Sequence, residues 1–217
     1  MSMQLRSNRV FLQSMARDFR RTGAIAPSSK MLAQAMTSEL ASCNKPQVSV
    51  LEVGAGTGSV TAEIVRHLGA GDQLDVCEID RKLASIIRHR LRNDSAFTAA
   101  DASIRVINKP IESFERRPAY DFIISCLPFT NFQPAAVRGV FELYRGMLRP
   151  GGICSFYEYI LVRKATRLVT GKTAVGERVA GVSEVVREYV GKYCYRHQVV
   201  LLNLPPAMVH HIRFPEA

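Results

Sequence analysis

Residues 51–58 read Leu-Glu-Val-Gly-Ala-Gly-Thr-Gly, an apolar run that stops at an acid and three alternating glycines. Few folds have a use for such a stretch. An apolar run of strand length that enters a backbone stripped of side chains reads as a buried strand followed by a turn that passes close to a ligand. Val48 to Val53 supplies the strand, and the chain enters a helix at Ser59 or Val60. Gly-x-Gly-x-x-Gly would signal a dinucleotide. Here the spacing is Gly-x-Gly-x-Gly, and Glu52 sits inside the strand end. A carboxylate at that turn suits the positively charged end of a ligand and sits poorly beside a pyrophosphate.

From Val48 onward, strand-like and helix-like segments alternate, the pattern of an α/β domain whose parallel strands are joined by crossover helices. Strands are expected at about 48–53, 73–79, 104–108, 121–126 and 153–160, and helices at about 59–68, 81–93, 134–148 and 176–192. Pro134 suits a first helical turn, and the Arg-Pro-Gly-Gly run at 149–152 ends that helix and turns into the next strand. The runs from Tyr193 to Leu204 and from Ala207 to Phe214 are separated by Pro205 and Pro206, so they should pair as an antiparallel hairpin. A chain of 217 residues has room for one good core, and a single domain over 1–217 is expected. A helix at about 28–41 precedes the sheet, capped by Ser28 or Ser29.

A second acid follows. Glu78 closes the second strand about twenty residues after the glycine turn, where an acid accepts the two hydroxyls of a ribose, with Asp80 as its near competitor. Together these residues resemble the first two motifs of the class I S-adenosylmethionine-dependent methyltransferases, and the resemblance runs from about Val48 to Phe214. It implies a Rossmann-like sheet of seven strands, mostly parallel, in the order 3-2-1-4-5-7-6, with helices on both faces and strand 7 antiparallel. It also implies S-adenosylmethionine as cofactor and S-adenosylhomocysteine as product. Glu52, Gly54, Ala55, Gly56 and Gly58 would surround the methionine end, Glu78 the ribose, and the segment Asn108-Lys109-Pro110-Ile111 after the third strand the adenine, with Ile79 beside Glu78 and Ser125 at the fourth strand's end also at the cofactor. No metal is expected, and the five cysteines lack ligand spacing and read as reduced core thiols.

The net charge of +10 is unevenly spread. Arg6, Arg9, Arg17, Arg20, Arg21 and Lys30 face one acid, Asp18, in the first thirty residues, and Arg163, Lys164, Arg167, Lys172 and Arg178 face only Glu177. Such concentration points to a polyanionic partner, nucleic acid or an anionic membrane. On a helical wheel Leu5, Phe11, Leu12, Met15 and Phe19 share one side and Arg6, Arg9, Arg17 and Arg20 the other. A basic amphipathic helix over 1–22 can lie in a bilayer interface, or pack over the domain with its basic back in water. No apolar stretch is long enough to span a bilayer and no secretory signal is visible, so a cytoplasmic location is expected.

The fourth strand ends in Ser-Cys-Leu-Pro-Phe, 125–129. Enzymes that methylate adenine N6 place Asn or Asp where Cys126 stands, and a thiol is a poor acceptor. That weakens an RNA adenine dimethylase reading. The Gly-x-Ile-x-Pro-Ser-Ser run at 23–29 and the Leu-Pro-x-x-Asn-Phe run at 127–132 resemble bacterial phospholipid N-methyltransferases, which convert phosphatidylethanolamine to phosphatidylcholine. Related enzymes methylate ornithine lipids. The resemblance implies a peripheral enzyme on the inner face of the cytoplasmic membrane, anchored by its first helix and binding phospholipid rather than nucleic acid, with no obligate protein partner inferred. Leu127, Pro128 and Phe129 would line the acceptor, Arg163 and Lys164 would meet the lipid phosphate, and Tyr157, Glu158 and Tyr159 would hold and deprotonate the amine. His210 and His211 have no partner spacing and read as structural.

Overall fold

A computed structural model describes residues 30–98, 101–115, 117, 119–160 and 173–215. The expected helix over 1–22, the start of the 28–41 helix, and Arg163 and Lys164 lie outside them. In chain order the described elements are α1 (Lys30–Ala41), β1 (Ser49–Val53), α2 (Ser59–Val65), β2 (Gln73–Cys77), α3 (Arg81–Asn93), the one-turn α4 (Ser95–Thr98), β3 (Ser103–Ile107), β4 (Tyr120–Ser125), α5 (Pro134–Met147), β5 (Leu148–Tyr159), α6 (Ala174–Tyr193), β6 (Cys194–Val200) and β7 (Ala207–Arg213). The seven strands form one sheet in the order β3-β2-β1-β4-β5-β7-β6, as expected. Strands β1 to β5 pair in parallel, while β7 runs antiparallel to both β5 and β6.

Alternation along the strands splits the core into two layers. Val50, Leu74, Val76, Phe122, Ile124 and Val209 meet Leu32 and Met36 of α1, Ile64 of α2 and Ile87 of α3 on one face. On the other, Leu51, Ile123, Cys154, Phe156 and Ile212 meet Phe141 and Tyr144 of α5 and Val182, Val186 and Tyr189 of α6. The second layer is aromatic: Phe141 stacks on Tyr189 with centroids 4.5 Å apart and meets Phe129 and Phe156 at 5.2 Å each. Truncating one of these fully buried rings to alanine costs about 3–5 kcal/mol.

The boundaries differ from expectation in three places, each for a local reason. Strand β5 starts at Leu148 because that residue already pairs with Tyr120; the Arg-Pro-Gly-Gly run is then an irregularity inside the strand, with the register shifting between Tyr120 and Phe122. Helix α2 ends at Val65, and tighter bonds from His67 N to Ile64 O and Leu68 N to Val65 O close it. Strand β6 stops at Val200, so Leu201–Leu204 belong to the hairpin turn. All five cysteines are free; Cys77 and Cys154 are buried, whereas Cys43, Cys126 and Cys194 are half-buried.

Candidate active site

The carboxyl ends of β1, β2 and β4 meet at one edge, and backbone hydrogen bonds pin them together. Gly54 N donates to Cys77 O at 2.8 Å, and Cys126 N donates to Val53 O at 2.8 Å. Between these anchors the chain turns through Gly54, Gly56 and Gly58 with φ of 76°, 59° and 84°, a region that residues with a Cβ rarely enter. A Cβ on Gly54 would stand 3.0 Å from Leu127 Cδ2 and 3.5 Å from the Cys126 carbonyl carbon, so this glycine lets the turn press against the segment after β4. Nothing lies within 4 Å of where a Cβ on Gly56 would point, which leaves that part of the turn open to a ligand. Arg90 of α3 steadies the outer side, donating from Nη1 to Thr57 O at 2.8 Å while its guanidinium lies 4.5 Å over the Phe97 ring.

Buried acids elsewhere in the sheet all have partners. Asp75 accepts two 2.8 Å bonds from Arg105 and one from Tyr120. Asp121 accepts from Lys45, Ser49 N and Arg149. Asp72 accepts from Val48 N and Gly69 N. Glu52 differs: it is 0% exposed, and neither carboxylate oxygen reaches a hydrogen-bond partner. Burial pushes its pKa up to about 8; Thr61 beside it opposes the rise and the charge of Glu78 adds to it. An orphaned buried carboxylate beneath an open glycine turn is a socket for a cation.

Glu78 is placed as a strut. Its Oε2 accepts from Gly56 N and its Oε1 from Asp80 N, both at 2.8 Å, which ties the glycine turn to the end of β2. Each carboxylate oxygen keeps acceptor capacity for a diol. Burial raises its pKa, and the bonds from Asp80 and Gly56 pull it back. Asp80, the competitor for the ribose, is instead the N-cap of α3, accepting from Lys82 N and Leu83 N. Asn108, which follows β3, donates from Nδ2 to Glu78 O and Ile79 O and so fixes the β2 turn. Ile79 and Pro110 are half-buried at this edge, whereas Ile111 is buried in the aromatic layer and adds apolar support from below. Ala55 is buried against the opposite layer.

Two expected roles need correction. Ser125 is buried and its hydroxyl bonds the Tyr144 hydroxyl at 2.9 Å across the core, leaving the cofactor side only its backbone. Phe129 is also buried, packed between Phe141 and Phe156, so its ring cannot stack on a substrate. Leu127 and Pro128 remain half-buried beside the glycine turn. Burial and the charges of Glu52 and Glu78 push the Cys126 thiol well up, so it stays protonated and inert.

Farther along the same edge, Tyr157 and Tyr159 lie on one face of β5, 5.2 Å apart edge to face and packed against the α1–α2 layer. Glu158 lies on the other face, with His210 Nε2 of β7 at 3.4 Å from its Oε2. Alternation along β5 thus separates the acid from the two tyrosines, and the tyrosines have a packing role. His211 is structural as expected: its Nδ1 meets Ser155 Oγ at 2.8 Å and burial pushes its pKa down to about 4.

Residues 50–152 match the model of a methyltransferase domain. Over 129 residues the chain is 28% identical to the ornithine lipid N-methyltransferase of Singulisphaera acidiphila, a match covering 59% of this chain and 66% of that protein. It is 30% identical over 125 residues to the spermidine synthase of Coffea arabica, covering 55% of this chain and 39% of that one. The chain thus spans under two thirds of these curated relatives. Among solved structures it resembles an O-methyltransferase from Bacillus cereus in complex with SAH, with a TM-score of 0.57 and 17% identity over 94% of this chain and 89% of that one. A cyclopropane synthase from Mycobacterium tuberculosis gives a TM-score of 0.53 and 15% identity over 77% and 63%. Residues 50–152 thus match a methyltransferase domain, and the seven-stranded sheet has the fold seen in these methyltransferase structures.

Proposed function

We propose that this chain is an S-adenosylmethionine-dependent N-methyltransferase whose acceptor is the primary amine of a lipid headgroup, phosphatidylethanolamine first. The observation that carries the donor is the unpartnered, fully buried Glu52 beneath the glycine turn. Its carboxylate would take the ammonium of the methionine end, the Gly54–Gly58 backbone would follow the chain of that end, Glu78 would hold the ribose, and Ile79 with Pro110 would flank the adenine. When bound, the cofactor supplies a methyl group on a sulfonium that needs no further activation.

The acceptor side rests on the lipid amine named by the 28% identical relative, which gives ornithine lipid as the second acceptor to test. A protonated amine has no lone pair, so the chain's remaining task is to position the headgroup and remove a proton. Glu158, backed by His210 at 3.4 Å, is the acid at the edge for that step, and Tyr157 and Tyr159 shape the wall behind it. The basic, apolar-faced stretch of residues 1–22, with Arg163 and Lys164, would bring the enzyme to an anionic membrane on the cytoplasmic face. Among the described residues no helix is long and apolar enough to cross a membrane. An RNA adenine acceptor is disfavoured, since Cys126 cannot accept well and the Phe129 ring is buried.

The test is transfer of labelled methyl to vesicles of phosphatidylethanolamine with anionic lipid, to vesicles of ornithine lipid, and to ribosomal RNA. Label in mono-, di- and trimethylated lipid is expected. Label in RNA alone would overturn the acceptor, and failure to bind S-adenosylhomocysteine in calorimetry would overturn the donor.

A further inference from the structure

The turn between β6 and β7, residues 201–206, is inside out for a surface turn. Asn203, its one polar side chain, is 3% exposed and donates from Nδ2 to Pro205 O at 2.8 Å. Leu201, Leu202 and Leu204 point outward at 70%, 75% and 82% exposure, the highest of any large apolar side chains among the described residues. No residue of the turn is charged. Surface turns ordinarily show polar side chains to water and hide apolar ones. The reverse arrangement fits surroundings that are themselves apolar.

The place of this tip matters as much as its composition. Ala207 pairs with Val200 across the hairpin and with Tyr159 of β5, and Ile160 N donates to Pro206 O at 2.9 Å. Strand β5 runs parallel to β4, and β4 to β1, so the leucines project from the same edge as the glycine turn and the Cys126–Phe129 segment. A stable protein interface covers roughly 800 Å² of each partner, and three side chains on a narrow tip fall far short of that. A narrow apolar tip is suited to slipping between lipids, and a net charge of +10 draws the molecule to an anionic surface.

We propose that the β6–β7 tip inserts Leu201, Leu202 and Leu204 into the interface of an anionic bilayer and so holds the catalytic edge against the headgroups. The proposal deepens the lipid-acceptor reading and takes its purpose from it. It gives the chain a membrane contact within the folded domain, separate from residues 1–22.

The chain contains no tryptophan, so Leu202→Trp in the full protein is a single local reporter. With vesicles of phosphatidylethanolamine and phosphatidylglycerol its emission should shift to the blue and be quenched by bromine-labelled acyl chains. Replacing all three leucines by serine should weaken vesicle partitioning on the order of 100-fold, with the melting temperature and S-adenosylhomocysteine affinity unchanged. A reporter that stays in water while the protein is bound to vesicles overturns the proposal, as does a failure to bind vesicles at all. A blue shift that grows with protein concentration in the absence of vesicles also overturns it, in favour of a second copy of the chain. The parent reading is scored separately by methyl transfer to detergent-dispersed lipid. Transfer with a dry tip leaves the acceptor standing and removes the insertion; an inserted tip without transfer to any lipid does the opposite.

Discussion

The two halves of the carboxyl edge are built on opposite plans. At the ends of β1, β2 and β4 the surface is backbone: glycines with positive φ, Glu78 clamped by amides, and Glu52 withdrawn into the core. At the ends of β5, β6 and β7 the surface is side chains: a tyrosine pair, Glu158 beside His210, and three outward leucines. A backbone surface is rigid and suits one ligand of fixed shape. A side-chain surface can be varied residue by residue, which suits the half that, on the proposed reading, would choose the acceptor. The difference predicts that substitutions in the first half act on cofactor affinity and those in the second act on turnover.

The largest effect should come from Gly54→Val. The new side chain must adopt φ of 76°, and its Cβ meets Leu127 Cδ2 at 3.0 Å, so the turn has to leave both strand ends. S-adenosylhomocysteine affinity by calorimetry should fall by about 1000-fold or more, the sum of about 2–3 kcal/mol of strain and the lost contacts. A loss under about tenfold would show that the turn can move, and the contrast between a rigid and a variable half would fail.

Glu158→Gln ranks next. Removing a proton acceptor typically costs on the order of 100-fold in turnover. The expected result is that drop in kcat for a lipid amine, with cofactor affinity unchanged. Rescue at high pH, where more of the amine is already neutral, separates loss of a base from loss of packing. Equal loss in cofactor affinity would mean that the two halves are not separable.

How much of this was legible in the sequence follows the same division. The glycine turn, Glu52 and Glu78 were readable because backbone demands leave few residue choices: an alternating Gly run and an acid at a strand end are rare and have fixed places, and the strand order followed from the family resemblance that these motifs carry. Ser125 and Phe129 were misjudged because proximity to a strand end does not say which face a side chain takes; Ser125 pairs with Tyr144 and Phe129 fills the aromatic layer. Asn108 could have been weighted more, since an Asn just after a strand is a frequent turn clamp. The outward leucines were hidden because an apolar run reads as more strand until pairing shows that β6 ends at Val200.

Glu52→Gln tests the orphaned carboxylate itself and should cost about tenfold in S-adenosylhomocysteine affinity at neutral pH, one charge-assisted hydrogen bond. The pH dependence gives a sharper signature. In the ligand-free protein burial lets Glu52 hold its proton up to about pH 8, while in the unfolded chain it loses it near the ordinary glutamate value of 4.5. Between those values the unfolded state binds fewer protons, so stability falls as pH rises, by up to ~1.4 kcal/mol per unit. Glutamine has no proton to lose. The variant should therefore melt higher than the parent at pH 8 and close to it at pH 5. Binding a cationic ligand favours the ionised form, so titrations of the parent near pH 7 in buffers of different ionisation enthalpy should show proton release, absent in the variant.

The smallest effect on the ligand should come from Ser125→Ala. This residue sits at the end of β4, in the middle of the cofactor half by sequence, yet its hydroxyl is 2.9 Å from that of Tyr144 on the helix side of the sheet. Removing it leaves the buried Tyr144 hydroxyl without its partner, at a cost of about 1–3 kcal/mol. For a chain of this length that is a fall in melting temperature of roughly 2–4 °C per kcal/mol. Cofactor affinity should stay within about twofold, since no hydrogen bond to the ligand is removed. Affinity loss without a stability loss would mean that the hydroxyl turns toward the cofactor on binding. The outcome decides whether membership of this site is set by position along the strand or by the face a side chain occupies, and the two-layer core argues for the face.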